Sequence, residues 1–92
     1  MEDMEQLTNL TNILQQEARN IFDDSGSAVI VAFRDDGHAV GVTWKEKSMT
    51  LTPHPRRRDV VRYDLSNGRY GFEPLHSIPG AAVNLLHYLS RS

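Results

Sequence analysis

The stretch from Ser27 to Thr52 most constrains the fold: Ala28-Val29-Ile30-Val31-Ala32-Phe33, then Arg34-Asp35-Asp36-Gly37, then a second alternating run. An Asp-Gly pair supplies the positive-φ positions of a tight turn, and the apolar runs on either side supply strands with faces to bury. The stretch therefore reads as a β-hairpin. Its first run is apolar without a break, which predicts a centrally placed strand with Val29, Val31 and Phe33 on one face and Ala28, Ile30 and Ala32 on the other. In the second run Val40, Val42 and Trp44 alternate with Ala39, Gly41 and Thr43, giving a bulky face for helices to cover and a light one.

The flanking segments extend this frame. From about Met4 to Phe22, Leu7, Leu10, Ile13, Leu14, Ala18, Ile21 and Phe22 recur at intervals of three and four, the spacing of an amphipathic helix. Asp3 is its expected N-cap and Asp23-Asp24-Ser25-Gly26 its stop. Leu7, Leu10, Leu14 and Ile21 also follow a heptad, which Glu17 interrupts, so the same face suits either the protein's own sheet or a partner helix. Met49-Thr50-Leu51-Thr52 begins a third strand that Pro53 and Pro55 shorten, which argues against a central position for it. Val60 to Leu65 resumes the alternation with Val61, Tyr63 and Leu65 inward. Asn67-Gly68 then signals a second hairpin, returning through Arg69 to Glu73 with Tyr70 inward. Ile78, Ala82, Leu85, Leu86 and Leu89 mark one face of a closing helix, with Ser77 or Ile78 at its cap and Pro79 in the unpaired first turn.

These elements predict an α+β fold in which residues 1–92 form a single α-β-β-β-β-β-α domain. An N-terminal helix, an antiparallel four- or five-stranded meander sheet and a C-terminal helix are arranged with both helices packed on one face. The order of the first elements is similar to that of a double-stranded-RNA-binding domain. That family opens its last helix with a lysine-rich stretch, whereas this helix opens Ser77-Ile78-Pro79-Gly80-Ala81-Ala82, so no membership follows.

Totals exclude several classes of function. The 92-residue chain has no cysteine, which removes disulfides, thiolate metal sites and a cysteine nucleophile and fits a reducing compartment; cytoplasm is the expectation. Met1 is followed by acidic Glu2, Asp3 and Glu5, and no apolar run approaches the ~20 residues of a membrane helix, so no membrane association is expected. Four histidines, His38, His54, His76 and His87, fall at no metal-binding spacing. The serines form no Gly-x-Ser-x-Gly elbow, and the neighbouring carboxylates Asp23-Asp24 and Asp35-Asp36 diverge in turns. No catalytic residue, metal or cofactor is assigned, and the chain reads as a non-enzyme.

What remains is charge placement. The net charge is −2, yet Lys45, Lys47, Arg56, Arg57, Arg58 and Arg62 hold most of the ten basic residues, while acidic residues crowd the first quarter. In Pro53-His54-Pro55-Arg56-Arg57-Arg58-Asp59 two prolines stiffen a run of three guanidiniums, to which Arg62 and Arg69 add charge from the second hairpin. Arginine forks donate two parallel hydrogen bonds to carboxylate or phosphate. The same composition equally serves as a solvated loop that keeps an edge strand from pairing. Trp44 is either a core residue or an interface anchor, since tryptophan near arginines is the mix enriched in hot spots.

The expectation is a small protein–protein interaction module, of bacterial or phage accessory character, acting as adaptor or inhibitor of a larger partner. Arg56, Arg57, Arg58, Arg62 and Arg69 would read a protein partner's acidic surface, with Trp44 as anchor. The alternative is nucleic-acid binding through the same arginines on phosphates. A homodimer through a sheet edge or the first helix is compatible with either.

Overall fold

The computed structural model describes residues 2–22, 29–34 and 38–92. Seven elements follow one another: α1 (Glu2–Ile21), β1 (Ile30–Arg34), β2 (Ala39–Trp44), β3 (Lys47–Pro53), β4 (Val60–Leu65), β5 (Tyr70–Pro74) and α2 (Ile78–Arg91). The strands form one antiparallel sheet in the order β1-β2-β3-β4-β5, a pure meander of five strands. Each connection joins nearest neighbours, as short loops dictate.

The alternation expected for the strands sets which face is buried. Val40, Val42, Met49, Leu51 and Val61 are fully or almost fully buried on one side, beneath Leu7, Leu10 and Leu14 of α1 and Leu85, Leu86 and Leu89 of α2. The leucine stripe of α1 is thus consumed inside the molecule, against α2 and the sheet, and the heptad serves that contact. α2 starts at Ser77, whose backbone is extended (φ −131) and whose carbonyl accepts the first helical bond from Ala81 N–H at 2.8 Å. Pro79 sits in that first turn, where its missing N–H leaves nothing unpaired. At the other end Lys47 Nζ donates to the Ser90 carbonyl at 2.9 Å, tying the last turn of α2 to the start of β3. A cation there also suits the negative end of the helix dipole.

Two strand positions differ from the sequence expectation. β1, expected at the centre, is an edge strand, with Ile30 61% and Phe33 44% exposed. Ile30, opposite Thr43, lies on the face that the helices leave open among the described residues, whereas Phe33, opposite the buried Val40, lies on the helix side and stays exposed because β1 is the outermost strand. β3, which its prolines argued against, is the central strand. Pro53 is its last residue, opposite Val61, so the ladder resumes with His54 N–H donating to the Val60 carbonyl at 3.1 Å. At the N-terminus α1 begins at Glu2, one residue before Asp3, the residue expected to precede it. The Asp36-Gly37 turn and the Asp23–Gly26 stop lie outside the described residues.

Two turns fix the register of the β2–β3 and β4–β5 pairs. Lys45 and Glu46 alone join β2 to β3, because Trp44 pairs with Lys47, and Lys45 holds a positive φ of 56°. The β4–β5 loop is Ser66-Asn67-Gly68: Leu65 N–H donates to the Arg69 carbonyl at 2.7 Å and Gly68 N–H to the Leu65 carbonyl at 3.0 Å. Gly68 has φ +92°, and Asn67 Oδ1 accepts from Arg69 N–H at 2.9 Å. This is a three-residue hairpin loop with glycine at its left-handed position.

Candidate functional site

The register decides which side chains reach the uncovered face of the sheet. Tyr63 lies opposite Gly71 and Arg62 opposite Phe72, so Tyr63, Gly71 and Glu73 face the helices while Arg62, Tyr70 and Phe72 face outward. Tyr70, expected inward, is 61% exposed, and Phe72 is 50% exposed. Their rings meet edge to face with centroids 6.4 Å apart. The Arg62 guanidinium lies 4.5 Å from the Tyr70 ring centre and grips Asp64 through Nη2 at 3.0 Å and Nε at 3.2 Å. His54 packs on Phe72 at 5.4 Å. Its Nδ1 accepts the backbone N–H groups of Arg56 and Arg57 at 3.0 and 3.1 Å, which bends the arginine loop back beside this face. A continuous surface results: Tyr70, Arg62, Phe72, His54, then Arg56 and Arg57.

The six residues singled out in the sequence are not all brought together. Arg56, Arg57 and Arg58 are exposed on the β3–β4 loop, with Arg57 3.6 Å from Asp59. Arg58 also borders a small gap beside Gln6, Leu7 and Leu75. Arg62 stands on the open face in β4. Arg69 follows the β4–β5 turn, about 20 Å from the loop by the length of a six-residue strand. Trp44 is at that same end but on the helix side, where its ring packs on Phe22 at 4.2 Å. Lys45 and Lys47 lie 4.6 and 5.6 Å from its ring centre. Trp44 therefore completes the core rather than joining the arginines, and its Nε1 is buried with no acceptor among the described residues.

The helix side of β5 is polar. Glu73 is 7% exposed, and its two oxygens accept from Asn84 Nδ2 at 2.8 Å and the Tyr88 hydroxyl at 3.3 Å. Tyr88 stacks on Tyr63 with ring centres 4.8 Å apart. Burial first, and then the neighbouring Glu73 carboxylate and Tyr63, push the Tyr88 hydroxyl above its usual pKa. Beside this pair a recess of about 560 Å³ opens between the β4–β5 turn and the end of α2, bordered by Tyr63, Tyr88, Asn67, Arg69 and Arg91. Among the described residues no three His, Asp or Glu side chains converge as a metal site, and no helix is long and apolar enough to cross a membrane.

Sequence reasoning missed Tyr70, Phe72 and Arg91. The signal for the first two was in the loop: Ser66-Asn67-Gly68 with glycine third pairs Leu65 with Arg69 and turns Tyr70 outward, whereas a two-residue Asn-Gly turn turns it inward. Compared with known protein families, curated proteins and solved structures, the chain matches none of them.

Proposed function

We propose that this chain is a non-enzymatic protein-interaction module that binds an acidic surface of a larger partner, as adaptor or inhibitor, through the uncovered face of its sheet. The observation that carries the reading is the pair Tyr70 and Phe72, both at least half exposed on an ordered strand beside Arg62. Tyrosine and arginine on a rigid platform are the residues that dominate interface energies, because they offer large contact area with few torsions to freeze. Arg56 and Arg57 extend the surface with positive charge that favours an acidic partner.

Single-stranded nucleic acid is the second reading, since aromatic rings on an open sheet also stack bases. Two contacts favour protein over it. Arg62 already covers Tyr70, and its fork is spent on Asp64 rather than open to a phosphate.

The test places a photo-crosslinking benzoylphenylalanine at Phe72 and, as control, at exposed His87 on α2, in nuclease-treated lysate of the cells that encode the protein. A discrete protein adduct at position 72 alone, lost in the R56E/R57E/R58E variant, is expected. Adducts that vanish with nuclease would instead support the nucleic-acid reading, and equal labelling at both positions would reject this surface.

A further inference from the structure

We infer that the partner is held as an added strand: an extended acidic segment pairs with the outer edge of β5 and directs its carboxylates into the recess at Arg69 and Arg91. This rests on the protein-interaction reading above and specifies its geometry. The hydrogen-bond phase of the β4–β5 ladder is fixed at both ends, by Leu65 N–H to the Arg69 carbonyl at 2.7 Å and Leu75 N–H to the Asp59 carbonyl at 2.6 Å. In an antiparallel pair the inward and outward backbone groups alternate, so Arg69, Gly71, Glu73 and Leu75 bond toward β4. The N–H and C=O of Tyr70 and Phe72 therefore point away from the sheet, and among the described residues no further strand lies beyond β5. Pro74 can accept but not donate, which limits pairing to a segment of a few residues.

A strand laid there alternates its side chains between two surfaces. On one side they meet the exposed rings of Tyr70 and Phe72, and on the other the recess of about 560 Å³. That recess holds two arginines, Arg69 and Arg91, neither of which has an ion pair among the described residues. Its wall is the stacked Tyr63–Tyr88 pair, settled over Gly71, where any Cβ would collide with the Tyr63 hydroxyl. Two guanidiniums beside an open backbone edge suit carboxylates spaced two residues apart. On the opposite edge the one cation of β1, Arg34, lies folded over Gly41.

The probes are the pentapeptide acetyl-Val-Glu-Val-Glu-Val-amide and its Lys-for-Glu counterpart, added to the whole 15N-labelled chain. In the free protein the Tyr70 and Phe72 amides should exchange with solvent at least tenfold faster than that of Gly71. Saturating acidic peptide should slow both at least tenfold, and the lysine peptide should bind at least tenfold more weakly. R69E/R91E, on two exposed residues, should remove the preference for the acidic peptide. Methylating the valine amides or the glutamate amides of the probe should abolish binding in one series only, because one parity faces β5. Equal effects of both methylations, or acidic-peptide binding that leaves the Tyr70 and Phe72 amides unprotected, overturn strand addition. Absence of binding at millimolar peptide overturns it as well, and the crosslinking at position 72 then stands or falls by itself.

Discussion

Lys45 occupies backbone space that glycine fills most easily. Its φ of 56° costs a residue with a Cβ about 1–2 kcal/mol. The ammonium 4.6 Å from the Trp44 ring returns roughly 0.5–1 kcal/mol at an exposed position. Strain wins, so Lys45→Gly should stabilise the fold by about 0.5–1 kcal/mol, read as a higher urea midpoint at unchanged slope. Tyr88 makes a prediction about pH. Its hydroxyl is raised in the folded state, so the folded protein holds that proton more tightly than the unfolded chain does. The contribution is complete below the ordinary tyrosine pKa near 10 and is lost as pH climbs through the raised folded value. The Tyr88 phenolate absorbance should appear above the ordinary tyrosine range, and that step should disappear in Tyr88→Phe. Retention of the step would move the assignment to another ring.

At the scale of elements, the helices and the alternation of β2, β3 and β4 were legible because each has one covered face, and period reports a covered face directly. Leu7, Leu10 and Leu14, the trio Val40, Val42 and Trp44, and Leu85 and Leu89 all turn to the core as their spacing requires. Strand order was less legible. The apolar run of β1 and the prolines after β3 are local properties, whereas edge or centre is decided by how many strands follow on each side. The outward face of Tyr70 and Phe72 hung on one residue of loop length, since a single-residue slip exchanges the faces of an entire strand. Arg91 joins Arg69 only through the packing of α2 beside the β4–β5 turn, a tertiary fact with no local pattern. The edge position of β1 can be checked by substitution. Ala32→Glu, exposed on the open face, should change stability by no more than about 0.5 kcal/mol. Val42→Glu, one strand inward and fully buried, should leave the chain unfolded in a circular-dichroism melt. A large loss from Ala32→Glu would argue that β1 is covered.

At the scale of the whole molecule the cations gather in two groups: Arg56, Arg57 and Arg62 border the open face and the loop beside it, and Arg69 and Arg91 border the recess at the outer end of β5, while α1 carries Glu5, Glu17 and Arg19. Cations gathered in this way orient an acidic partner before contact, so the association rate should fall several-fold between about 50 and 300 mM salt while the dissociation rate changes little. Equal salt sensitivity of both rates would indicate that the charges act only in the bound state.

Among the described residues helices roof the sheet on one side alone, and that has a calorimetric consequence. Ile30, Tyr70 and Phe72 leave apolar surface in water in the native state, surface that folding by itself does not remove. Covering such surface lowers the heat capacity by about 0.45 cal/mol/K per Å² of apolar area. Any partner that seats on the rings of Tyr70 and Phe72 should therefore bind with an enthalpy that grows more favourable as the temperature rises. Truncating both rings to alanine should flatten that slope, while the unfolding endotherm of the unbound protein keeps its shape.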